Sequence, residues 1–394
     1  MAARKRLKKL YSLHAWLGFQ LALVMSVILV TGTIATVSNE IDWLLFDALH
    51  RDDSVVETQQ PVTSDDWAAI YASLKTSYPQ GEVRYLLDMG ESYLTHRALI
   101  ENEALSTSFV QIDPASHRVT GVMPRLTVQR FFRDFHRYLF MPAFPGILFV
   151  CAFAFVLALS LYTGLKTTRN WKTALCRLRL NHGARIALSD LHKVLGLWGV
   201  WFVALITVTG LWYFYEFSFQ LVGSRLEPRP PAIETPQTEN RVSISVEDFQ
   251  QMVQLAQSSH VDWEITSILL PTDNTKPAEF RGVGSNPLLR DRAYRVFINP
   301  QTFEVIDVFS PHTIGVNAYL NEYADPLHFG NFGGFVSKLI WFVFGIGLSA
   351  MSITGVLMTW KRTKSRILTK QQIKTLPIIL LTLVAFFFWV QRYL

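Results

Sequence analysis

The sequence predicts a membrane α-helical bundle: two repeated helix pairs plus one C-terminal helix, with two α+β lobes outside the membrane. Three observations predict it. Half of the 394 residues are hydrophobic and only 17% are charged, where a soluble domain carries about 25% charge. The scarce charges leave long uncharged runs. The chain also repeats itself.

The mean hydropathy is +0.21. That value and the low charge exclude a disordered chain, which needs little hydrophobicity and much charge. The 28 Phe, 13 Tyr and 11 Trp suit a bilayer with aromatic belts. Two cysteines, Cys151 and Cys176, exclude a disulfide scaffold, a zinc ribbon and a four-thiolate iron–sulfur cluster. No C-x-x-C-H is present, so covalent haem attachment is excluded too. Nothing in the chain calls for nucleic acid.

A spanning helix needs about 20 mostly apolar residues. Runs free of Asp, Glu, Lys and Arg cover Leu10–Asn39, Tyr138–Leu165, Val194–Tyr215, Leu339–Trp360 and Thr375–Val390. The first is too long for a signal peptide and lacks a clear cleavage site, so it reads as a retained helix. Lys and Arg set the orientation. Arg4, Lys5, Arg6, Lys8 and Lys9 precede the first run. Lys166, Arg169, Lys172, Arg177, Arg179 and Arg185 lie between the second and third, and Lys361 to Lys374 between the fourth and fifth. These basic segments are expected in the cytoplasm.

The expected layout follows. Residues 1–39 form a cytoplasmic basic N-terminus and the first span, 40–135 a periplasmic lobe, and 136–190 the second span with a basic loop. Residues 191–216 form the third span, 217–327 the second lobe, 328–362 the fourth span, and 363–394 a basic loop and fifth span. The expected home is a bacterial inner membrane, with the N-terminus cytoplasmic and the C-terminus periplasmic.

The repeat is the most informative feature. Leu13-His14-x-x-Leu17-Gly18 leads to Thr31-Gly32, and Leu191-His192-x-x-Leu195-Gly196 leads to Thr209-Gly210. The His-to-Gly separations of 4 and 18 are the same in both. Phe135-His136 precedes Thr163-Gly164 by 28 residues, and Leu327-His328 precedes Thr354-Gly355 by 27, counted from His to Gly. In the lobes, 65–77 and 246–257 have helical periodicity, and each is followed by strand-like segments. Each lobe ends in a hairpin with its turn at Asp113-Pro114 or Asn299-Pro300. The Pro-rich stretch 227–236 reads as a linker.

Four of ten histidines occupy equivalent places in this repeat. His14 and His192 fall at the cytoplasmic ends of spans one and three, and His136 and His328 at the outer ends of spans two and four. Imidazole is a standard axial ligand of haem iron. A haem held between helices needs one His from each, at one depth. That pairs His14 with His192 and His136 with His328; pairing within one half would separate the ligands by about a membrane thickness. Positions i and i+18 share a helical face about 27 Å apart. Gly18 and Gly196 are therefore expected to make room for the cytoplasmic haem, and Gly32 and Gly210 for the outer one. The ordinary role of such glycines is helix packing. Gly164 and Gly355 would flank the cytoplasmic haem. The other six histidines read as surface residues. Glu40, Asp42 and Glu216 mark the outer interface or serve protons or substrate, and Trp43, Trp212, Tyr213, Trp341 and Trp360 read as aromatic belt.

The Leu-His-x-x-Leu-Gly…Thr-Gly pattern, Phe-His-Arg-Tyr-Leu-Phe-Met-Pro at 135–142 and Pro-Leu-His-Phe-Gly at 326–330 resemble the PepSY-associated transmembrane-helix family. The lobes resemble PepSY domains. The resemblance spans 13–362 and includes bacterial inner-membrane reductases that release iron from siderophores. It implies two b-type haems on His14, His136, His192 and His328, and outward electron flow to a ferric siderophore or other ferric chelate. Some relatives carry a fused flavin reductase; the loops here have no G-x-G-x-x-G turn. A quinol or a separate flavoprotein would then be the donor. Two other readings stay open: a non-catalytic PepSY module that binds or inhibits a periplasmic peptidase, and a b-type cytochrome subunit for another acceptor.

Overall fold

A computed structural model describes residues 2–52, 62–102, 106–226, 229–233, 243–273, 275–362, 381–382 and 384–390. The helices are α1 (Ala2–Gln20), α2 (Ala22–Thr36), α3 (Ser38–Leu45), α4 (Ser64–Ser77), α5 (Val128–Tyr138), α6 (Ala143–Thr167), α7 (Trp171–Ala174), α8 (Ala184–Trp198), α9 (Val200–Ser218), α10 (Val246–Ser258), α11 (Val316–Glu322), α12 (Ala324–Phe329) and α13 (Gly334–Arg362). The strands are β1 (Glu82–Leu87), β2 (His96–Asn102), β3 (Ser106–Ile112), β4 (Val119–Met123), β5 (Glu264–Leu269), β6 (Ala278–Val283), β7 (Tyr294–Ile298) and β8 (Val305–Phe309).

Among the described residues, three helices are long and apolar enough to cross a membrane: Ala143–Thr167, Val200–Val222 and Gly334–Met358. The first expected span is a fourth if α1 and α2 are counted together, for they bend by 64°. The single retained helix expected over Leu10–Asn39 is thus corrected to two segments meeting at Leu21. The third expected span also divides, at Gly199 between α8 and α9. Leu21 and Gly199 each lie seven residues after a repeat histidine.

A second correction concerns His136 and His328. Neither sits on the long apolar helix that follows it. His136 lies on α5, which ends where Leu139 and Phe140 take φ values of 51° and 59°. His328 lies on α12, which ends at Gly330 with φ 72°. Positive φ is uncommon for bulky residues. Here Leu139 and Phe140 are both buried, and Phe140 stacks on Phe135 at 4.7 Å. Packing holds a turn that the local sequence does not announce. Residues 384–390 are helical, and Trp389 donates to Asp134 of α5 at 2.8 Å. Half of the expected linker 227–236 (227–228 and 234–236) and the basic loop from 363 onward lie outside the described residues.

The two lobes are not separate. All eight strands form one antiparallel sheet in the order β4-β3-β2-β1-β5-β6-β7-β8. The halves join where Leu86 of β1 faces Ile268 of β5. Each half alone would leave the edge of its first strand unpaired, and such edges invite pairing. The core is shared as well. Tyr71 of α4 stacks on Phe249 of α10 at 4.1 Å, and both rings are buried among Leu86, Ile100, Ile268 and Phe280. The two helices start alike, with reciprocal caps at Thr63/Asp66 and Ser245/Asp248.

Candidate functional site

The four repeat histidines come together in two pairs. The ring centres of His14 and His192 are 6.2 Å apart, and those of His136 and His328 are 6.1 Å apart. The first pair lies at the end of the bundle far from the sheet, between α1 and α8. The second lies at the near end, on α5 and α12.

Each ring is oriented through Nδ1. His136 Nδ1 lies 2.8 Å from the Ile28 carbonyl, and His192 Nδ1 lies 2.9 Å from the Met351 carbonyl. A carbonyl only accepts, so both Nδ1 atoms carry the proton. His14 Nδ1 meets Thr163 Oγ1 at 3.0 Å, and His328 Nδ1 meets Thr209 Oγ1 at 2.9 Å. Those hydroxyls already donate to their own helices, to Leu159 O at 2.7 Å and Leu205 O at 2.9 Å. They therefore accept from the histidines. All four rings are Nδ1–H tautomers, and in each the lone pair is on Nε2, the atom left for coordination.

The threonines of the Thr-Gly pairs were not assigned a role by the sequence, yet Thr163 and Thr209 set ring orientation, and Thr354 Oγ1 lies 3.3 Å from His192 Nδ1. The signal was present in the repeat itself. The glycines divide. A Cβ on Gly32 would lie 2.6 Å from His136 Cε1, so this glycine makes room for the imidazole itself. Gly164 and Gly355 lie beside His14 and His192, but a Cβ there would be 3.4 and 3.5 Å from Cε1, ordinary contact that demands no glycine. Gly210 instead packs on Ala154, with 3.0 Å to its Cβ, which is the ordinary helix-packing role. Gly196 meets Met351 Sδ at 3.1 Å, whereas Gly18 faces open space. That space is a cavity of about 1050 Å³ lined by His14, His192, Gly18, Gly164, Gly196 and Gly355. Ligand pockets are commonly about 300–1,000 Å³.

Charged groups brace the pair near the sheet. Asp42 is buried and accepts from the Val128 and Gln129 amides at 2.7 and 3.0 Å, capping the helix that carries His136. Glu216 pairs with the buried Arg290 at 3.1 Å, and Arg290 Nε lies 3.0 Å from Asp325 on the helix that carries His328. Lys338 joins Glu40 at 2.9 Å and Glu91 at 2.5 Å. Glu216, Asp325 and Glu91 tie the sheet's loops to the bundle, whereas Asp42 joins α3 to α5. Two expected belt residues are corrected likewise. Tyr213 donates to Asp325 at 2.7 Å with its ring 5.1 Å from His328, and Trp341 is buried and donates to Leu327 O at 3.0 Å. Trp43 packs on His50 at 4.5 Å, Trp212 donates to Asn321 at 2.7 Å, and the Trp360 side chain lies outside the described residues.

Of the remaining histidines, His96 is corrected from surface to core: it stacks on Trp67 at 5.5 Å and lies 3.4 Å from Asp88. His182 is exposed at the cavity mouth and His312 is exposed, while His50, His117 and His260 are half-buried. No group of three or more His, Cys, Asp or Glu suited to a bare metal ion occurs among the described residues.

Arg179 grips Asp190 with two bonds, at 2.7 and 2.9 Å, and braces the loop at the cavity mouth. The guanidinium holds the Asp190 carboxyl down at about 2. A depressed carboxyl stabilises above its ordinary pKa, and that contribution fades as pH falls towards the folded value. Cleavage of loop 168–183 by pepsin should therefore rise between about pH 4 and pH 2. Asp190→Asn should open the loop already at pH 4; equal cleavage of the two chains there would refute the brace.

The fold and site define a multi-pass helical membrane protein with a sheet domain outside the bundle and two facing imidazole pairs within it. The family described as the PepSY-associated TM region matches residues 11–362, and the chain belongs to it. No curated protein matches the chain.

Proposed function

We propose that the chain is a di-haem b electron-transfer protein that reduces ferric chelates, ferric siderophores among them, on the sheet side of a bacterial inner membrane. The observation that carries this reading is the orientation of four imidazoles, all with Nδ1–H bound to a helix and Nε2 left for a metal. The spacing fits as well. Two imidazoles that would hold one metal between them, at bonds of about 2.0–2.1 Å, would have ring centres roughly 6 Å apart. The pairs here stand at 6.2 and 6.1 Å.

His14 and His192 would hold one haem and His136 and His328 the other. Bound haem iron supplies one-electron chemistry, which belongs to the cofactor. The chain sets depth, ligand tautomer and access to water. Fe(III) in a hard-oxygen chelate is held far more tightly than Fe(II), so one electron suffices to release it. The basic segments 4–9 and 166–185 support placing the far pair on the cytoplasmic side, where a quinol or a flavoprotein would donate. The peptidase-binding alternative gives the oriented imidazoles no use.

The visible spectrum of the purified chain tests this. A Soret band with sharp α-bands on dithionite reduction is expected. A folded, colourless chain overturns the reading. Reoxidation by ferric siderophores, faster than by other acceptors, would separate a reductase from a general b-type cytochrome.

A further inference from the structure

We infer that Arg169, Arg177 and Arg185, at the mouth of the cavity beside His14 and His192, seat the carboxylates of the macrocycle whose iron that pair would hold. The inference rests on the di-haem reading above and names the residues that anchor the cofactor's polar edge.

The cavity has two chemically distinct parts. Deep in it stand Leu17, Met25, Leu157, Val203 and Leu348, an apolar wall suited to a flat hydrocarbon ring. Its mouth carries Arg169, Arg177, Arg179, Arg185 and Lys193 against one carboxylate, Asp190. Arg179 is already engaged by that carboxylate. The other three arginines are exposed and make no ion pair among the described residues. A cavity with an apolar body, two Nε2 donors at its side and surplus guanidinium at its rim matches one ligand class: a planar, iron-bearing amphiphile with anionic groups along one edge. Guanidinium is suited to carboxylate because its planar donors can bind both oxygens.

Basic loops also occur at membrane surfaces to fix topology and to meet anionic lipid headgroups. These three arginines differ in lining the same cavity as the histidine pair. The braced Asp190–Arg179 contact and the bond from Trp198 Nε1 to Leu175 O at 3.1 Å hold the loop that carries Arg177 over that cavity.

The test compares haem b with its dimethyl ester, which keeps the iron and ring and blocks both carboxylates. Haem-free, full-length chain is titrated with each and followed at the Soret band. A His136→Ala background leaves only the far site. Haem should bind that site roughly tenfold or more tightly than the ester, the scale of two partly exposed ion pairs. In Arg169→Gln/Arg177→Gln/Arg185→Gln the preference should fall to about twofold or less. A preference that survives the triple substitution overturns the inference and leaves the arginines to lipid. So does equal binding of haem and ester by the unsubstituted rim. If His136→Ala does not fold, loss of haem from the otherwise native chain to apomyoglobin gives the same answer: the triple substitution should speed one of two phases. Folded native chain that binds no porphyrin would overturn the di-haem reading itself.

Discussion

His14→Ala and His192→Ala should each give a chain that holds one haem instead of two, and both should lose the same haem. His136→Ala and His328→Ala should lose the other. Replacing a group that only orients a metal ligand lowers metal affinity about 10–100-fold; removing the ligand itself should cost more, so the site empties on purification. The pairing is what makes the result sharp. Rings 6.2 Å apart would, on the proposed reading, serve one iron together. The double substitution His14→Ala/His192→Ala should therefore be no worse than either single one. Haem-to-protein ratios and the residual α-band position measure this. If His14→Ala and His136→Ala emptied the same site, the assignment by depth would be wrong. If all four variants kept two haems and merely melted earlier, the histidines would be packing residues.

Much of this site was legible because charge is scarce in the chain. The positions of Lys and Arg marked the ends of the apolar runs, and the repeat then placed His14 with His192 and His136 with His328. Their meeting across α1 and α8, and across α5 and α12, needed only two equal depths. The details that were hidden are non-local. The turn at Leu139–Phe140 is held by burial against Phe135, with no glycine to announce it. The pairing of β1 with β5 joins residues about 180 apart in sequence, and alternation along a strand says nothing about which edge it will find. The buried Arg290–Asp325 contact likewise links a sheet loop to a helix that no periodicity connects. Thr163 and Thr209 are a different case. They stood in the repeat beside their glycines, and the notion that glycine alone made room obscured the hydroxyl that holds the ring.

Gly32→Leu should empty the site near the sheet while leaving the far haem in place. An added Cβ would start 2.6 Å from His136 Cε1 and 2.8 Å from Nδ1, closer than side-chain carbons approach. The ring must move, and with it the 2.8 Å bond to the Ile28 carbonyl that fixes its tautomer. Overpacking of this kind costs about 1–3 kcal/mol, and here the strain falls on a proposed ligand. Escape is blocked, because Asp42 caps α5 and Trp389 bonds to Asp134 on it. The control is Gly347→Ala on α13, outside the lining of the cavity, whose Cβ would meet only Leu195 Cδ2 at 3.9 Å and should leave two haems. The contrast separates steric displacement of an imidazole from a general intolerance of larger residues in the bundle. Retention of both haems in Gly32→Leu, with an unaltered reduced spectrum, would mean that His136 is not held where it must be to serve as a ligand.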